Sequence, residues 1–100
     1  MKYILDCDNR IGGGEYIVFN SLEDAQAYAD RRASYCQRDI NIYSMKHTYC
    51  RRWWGTCSGI EECKDPIQFG NFGFYGDWQE IDEDNSDLFR NALDAFYESL

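Results

Sequence analysis

One hundred residues suffice for one domain with a modest core. The chain is 44% hydrophobic and 17% aromatic, with eight Tyr, six Phe and three Trp, which excludes a disordered polymer. Its net charge of −8 argues against direct nucleic-acid binding, whose affinity comes from neutralising phosphates, and against an anionic membrane surface.

Residues 2–7 alternate, with Tyr3, Leu5 and Cys7 on one face, as in a half-buried strand. Residues 8–14 end in three glycines and read as a hairpin turn. This triplet lacks the Lys-Ser/Thr of a phosphate loop and the spacing of a dinucleotide fold. Residues 15–19 are β-branched and aromatic and form the return strand. Ser21 is a helix N-cap, with Glu23 and Asp24 suited to the positive end of the dipole. Leu22, Ala25, Ala29, Ala33 and Cys36 then make one helical stripe over 22–36, rich in small residues. A third strand falls within 39–45 and a fourth at 48–54. Residues 55–66 form an irregular loop, and 67–69 restart extended structure. Glycines among rings at 70–78 mark a bulge or close approach, and 79–81 end the sheet. An acidic cap at 82–87 precedes a helical stripe of Leu88, Phe89, Ala92, Leu93, Phe96, Tyr97 and Leu100. The expected class is α+β: a single domain over 1–100 in the order ββα-β(2-4)-α, its sheet small and mostly antiparallel, with both helices on one face.

No apolar run approaches the ~18 residues of a membrane span, and the first residues lack the apolar core of a signal peptide. A cytoplasmic protein with no membrane partner is expected. An odd count of five cysteines fits reduced thiols. Cys7 and Cys36 read as small core residues. His47, Cys50, Cys57 and Cys63 are close enough in sequence for a zinc site of one imidazole and three thiolates. Only His47 and Cys50 form a tight pair, so free thiols and a Cys57–Cys63 disulfide are the competing readings. No cofactor is otherwise implied.

General acid-base catalysis needs a group poised near neutrality, and His47 is the one histidine. At i,i+3 in a strand, His47 and Cys50 point to opposite faces. A non-enzymatic role is expected. The run Arg51-Arg52-Trp53-Trp54 sets bases beside rings, as where single strands are stacked. Alternation pairs Arg51 with Trp53 on one face and Arg52 with Trp54 on the other, leaving one ring in the core and one exposed. A core Trp with an Arg over its neighbour, or a partner-binding hot spot, accounts for the same residues.

Charge is uneven along the chain: residues 1–30 carry −4, 31–64 carry +4 and 65–100 carry −8. Asp77, Glu80, Asp82, Glu83, Asp84 and Asp87 fall within eleven residues, beside Tyr75 and Trp78. Helix capping and solubility explain such a run. So does a surface that takes the place of phosphates in a basic groove, with the rings as anchors.

The run 16–28 (Tyr-Ile-Val-Phe-Asn-Ser-Leu-Glu-Asp-Ala-Gln-Ala-Tyr) is a strand entering a capped helix. With the run 75–84 (Tyr-Gly-Asp-Trp-Gln-Glu-Ile-Asp-Glu-Asp), it resembles the small acidic phage-encoded inhibitors of the anti-CRISPR type. The likeness is one of size, build and charge, and no residue's role is carried over from it. It implies an inhibitor that binds a protein with a basic nucleic-acid site, such as a CRISPR effector, and contacts no nucleic acid itself. The basic middle departs from a uniformly acidic mimic and leaves room for a two-sided binder. The expected partner-binding residues are Tyr75, Asp77, Trp78, Glu80, Asp82, Glu83, Asp84 and Asp87. The alternative is a small zinc module on His47, Cys50, Cys57 and Cys63.

Overall fold

The computed structural model describes residues 2–9, 13–82 and 86–98. In chain order these form β1 (Tyr3–Asn9), β2 (Gly13–Phe19), α1 (Leu22–Cys36), β3 (Ile40–Tyr43), β4 (His47–Trp54), β5 (Ile67–Phe69), β6 (Gly73–Asp82) and α2 (Ser86–Glu98). A 3₁₀ turn, Ile60–Glu62, lies between β4 and β5. The six strands make one sheet in the order β2-β1-β3-β4-β6-β5, and every neighbouring pair is antiparallel. The class is α+β, with four strands between the helices.

The helices do not share a face. Leu5 packs with Ala25, Ala29 and Ala33 of α1, whereas Ile4 packs with Phe89 and Ala92 of α2. Adjacent strand residues point to opposite faces, so α1 and α2 clamp the sheet from its two sides. The reason lies in β1 itself. Ile4 and Leu5 are both fully buried, and one helical layer would leave one of them in water. The half-buried reading of this strand is corrected with the helix placement. The side chains of Cys7 and Cys36 lie outside those described.

Ser21 caps α1 by accepting a hydrogen bond from the Asp24 N–H at 3.0 Å. The alanine stripe lets α1 lie close on the sheet, and the helix ends at Gln37 in a left-handed conformation. On α2 the buried residues are Phe89 and Ala92, with Leu93 beside them. Leu88 is 51% and Tyr97 54% exposed, so the true stripe is narrower than the run of apolar residues suggested. Leu100 lies outside the described residues.

The far half of the sheet is aromatic. Trp53, Phe69 and Tyr75 converge on the α1 side, with Trp53 and Tyr75 ring centroids 4.9 Å apart. Gly73 makes this approach possible. A Cβ there would stand 2.2 Å from the Trp54 carbonyl oxygen and 2.9 Å from the Trp53 ring.

Candidate functional site

The register of β4 with β6 decides where the acidic stretch points. Arg51 pairs with Trp78, but Trp53 pairs with Tyr75, so Arg52 alone faces two residues of β6. This bulge absorbs one residue and rotates the strand. Without it Tyr75 and Trp78, three apart, would point to opposite faces. With it both turn toward α1.

The consequence is that neither ring flanks an open acidic surface. Tyr75 is fully buried, and its hydroxyl accepts a hydrogen bond from the Arg38 N–H at 3.2 Å. Burial pushes its phenol up to about 12. Trp78 donates from Nε1 to Asp30 Oδ1 at 3.2 Å. The same oxygen accepts from Arg51 Nη1 at 2.8 Å. Arg51 is only 1% exposed, lies 5.8 Å from the centre of the Trp78 ring and donates from Nη2 to the Asp65 carbonyl. Helix α1, strand β4 and the loop before β5 are tied together at this guanidinium.

Asp77 is also occupied internally. It accepts hydrogen bonds from the backbone N–H groups of Lys64 and Asp65 at 2.7–3.0 Å. These amides hold its carboxyl below the ordinary value of 3.8. Glu80 and Asp82 are placed differently. Their side chains are 54% and 85% exposed, and His47 Nδ1 stands 3.4 and 3.3 Å from them. Asp87 is exposed in the first turn of α2. Glu83 and Asp84 lie outside the described residues. Of the eight residues read as a partner-binding surface, Glu80, Asp82 and Asp87 are presented to solvent. Tyr75, Asp77 and Trp78 are committed to the fold.

The His47, Cys50, Cys57 and Cys63 set does not assemble. His47 lies on the α1 side of β4 and Cys50 on the other, as their pairing with Asp82 and Gln79 shows. Cys57 Sγ instead approaches the Gly70 carbonyl at 3.8 Å and the Gln68 side-chain amide at 3.6 Å. Cys50, Cys57 and Cys63 are free thiols. Among the described residues no group of His, Cys, Asp and Glu is placed to hold a metal ion. Burial pushes the Cys50 thiol up, nearby Asp39 adds to this and Arg52 opposes it. That is the reverse of what an activated cysteine needs.

The alternation read from Arg51-Arg52-Trp53-Trp54 appears in the fold. Arg51 is buried and Trp53 packs in the core, whereas Arg52 is exposed and Trp54 is 44% exposed. On the outer face of β4 and β6, Trp54 lies parallel to Phe74 within 6°, centroids 6.1 Å apart. There a cavity of about 320 Å³ opens beneath the loop that Asp77 holds down. Arg52, Trp54, Glu62, Cys63, Gly76 and Asp77 are among its lining residues. Sequence reasoning missed this hollow. Its signals were the glycine-ring mixture of 70–76 and a loop with no periodicity, neither of which specifies a concavity.

Comparison with family models, with curated proteins and with solved structures finds no match. Among the described residues no helix is long and apolar enough to cross a membrane.

Proposed function

We propose that the protein is a non-enzymatic inhibitor. It would bind a nucleic-acid-handling protein and occlude that protein's basic site with the acidic end of β6 and the start of α2. One contrast carries this reading. Asp30, Asp39 and Asp77 are spent on internal donors. Glu80, Asp82 and Asp87 instead stay in water, with His47 as the neighbouring imidazole of the first two. Such charges do little for stability. They steer association with a basic channel and suit its Arg and Lys forks. Tyr75 and Trp78 drop out as anchors, leaving the carboxylates as the contact. The resemblance to small acidic phage-encoded inhibitors makes a CRISPR effector the partner class to try first.

The test is a mobility-shift assay of target DNA binding by purified CRISPR effector complexes, with and without the protein. Block of at least one complex is expected, weakening as salt rises because exposed charges are screened beyond ~8 Å at physiological salt. The triple variant Glu80→Gln, Asp82→Asn, Asp87→Asn should lose the block while keeping its denaturation midpoint. Undiminished block by that variant, or block indifferent to salt, moves the interface elsewhere. If no complex is blocked, the effector reading fails.

A further inference from the structure

The cavity on the outer face of β4 and β6 has a wall and a floor of distinct chemistry. Its wall is the half-exposed indole of Trp54, backed by the parallel ring of Phe74. Its floor is Gly76. A Cβ at that position would meet Trp54 Nε1 at 3.4 Å and Cys63 Sγ at 3.8 Å, so glycine keeps the hollow open. Its lining includes two acidic residues, Glu62 and Asp77, and one basic residue, Arg52. Asp77 is fixed in place by the amides of Lys64 and Asp65.

We propose that this cavity receives the guanidinium of an arginine side chain projecting from a partner protein. The inference deepens the reading above and rests on it only in taking the partner to be basic. A planar, delocalised cation stacks on an indole face and presents parallel N–H donors to a carboxylate. Lysine offers a point charge with no plane to stack, and it is the poorer fit. An anion such as a phosphate is disfavoured by charge. It would meet two acidic residues against one basic residue, on a chain of net charge −8. Arginine is also a residue type enriched at the energetic centres of interfaces. From Asp77 to Asp82 the strand advances five residues, about 16 Å. Asp77 and Asp82 point to opposite faces of the sheet, so the cavity and the acidic end are separate contacts.

Titration of N-acetylarginine amide into ¹⁵N-labelled protein, read at the Trp54 indole N–H, tests the assignment. N-acetyllysine amide and guanosine monophosphate serve as comparison probes. Saturable shifts from the arginine probe, at lower concentration than from the lysine probe, are expected. Glu62→Gln should weaken that binding and Arg52→Gln should tighten it, each by up to about five-fold, the span of an exposed ion pair. Both positions are exposed, and an unchanged denaturation midpoint verifies that the variants fold. Absence of a saturable shift from the arginine probe overturns the proposal. So does lysine binding as tight as arginine, or guanosine monophosphate binding that Arg52→Gln weakens. Arginine binding without block of any effector breaks only the inhibitor reading. Block without arginine binding breaks only this one.

Discussion

The two halves of the sheet are closed in different ways. Strands β2, β1 and β3 lie between two helices, and the buried centre of their contacts is mostly aliphatic: Leu5, Ile40 and Ile42 against alanines on one side, and Ile4 against Ala92 and Phe89 on the other, with Tyr and Phe rings around it. Strands β4, β6 and β5 have an aromatic cluster on one face and a loop on the other, fastened at single polar points. Arg51 ties β4 to α1 and to Asp65, and Asp77 ties β6 to Lys64 and Asp65. The helical half spreads its stability over many apolar contacts on both faces. The aromatic half concentrates it in a few polar bonds, which leaves the outer face of Trp54 and the carboxylates of Glu80 and Asp82 uncovered.

The largest effect should come from Arg51. Truncating this fully buried side chain empties its site and unpairs the Asp65 carbonyl, at a cost of about 3–5 kcal/mol. Arg51→Ala should lose that much in urea denaturation. Arg51→Met should recover much of the loss, since Asp30 keeps 35% of its side chain in water. A cost under about 1 kcal/mol for the alanine variant would mean that the aromatic half is not anchored there. On the helical side, Phe89→Ala should cost about 3 kcal/mol and Leu88→Ala at most about 0.5 kcal/mol. Equal costs would contradict the register of α2.

A smaller contrast separates two glycines of β6. Gly73→Ala forces a methyl onto the Trp54 carbonyl and should cost about 1–3 kcal/mol. Gly76→Ala meets only ordinary contacts and should cost less than about 1 kcal/mol. The smallest effect is one of pH. The Asp77 carboxyl is depressed in the folded state by the Lys64 and Asp65 amides, with Arg51 and Lys64 adding to this. Its contribution is fully present above the ordinary value of 3.8 and is lost as pH falls through the lower folded value. Hydrogen exchange at the Lys64 and Asp65 amides should therefore lose protection in that acidic window. Asp77→Asn should lose the pH dependence of protection. A wild-type profile in that variant would remove Asp77 from the loop's fastening.

Much of the helical half was readable from the residues alone. Ser21 before Glu23 and Asp24, the alanines at four-residue steps and the apolar run of α2 are local signals with one period each. The strands at 15–19, 67–69 and within β4 were legible for the same reason, as was the division of Trp53 and Trp54 between core and surface, though not which ring goes where. The acidic site was read less well. Its members lie on one continuous run, but a bulge sends Tyr75 and Trp78 inward, and amides from a distant loop take Asp77.

Composition, period and capping thus determined the α+β class and the coarse order of elements, with the strands between the helices left at two to four, because each depends on neighbours within a few residues. Tertiary structure decided that the helices cover opposite faces, where the sequence reading put both on one: the burial of Ile4 as well as Leu5 is a property of the packed sheet. It decided the burial of Arg51, whose partner Asp30 lies 21 residues away on another element. It decided the cavity beside Trp54 as well. That hollow exists where a loop without periodicity is pulled over a glycine by Asp77, and no stretch of sequence contains all three.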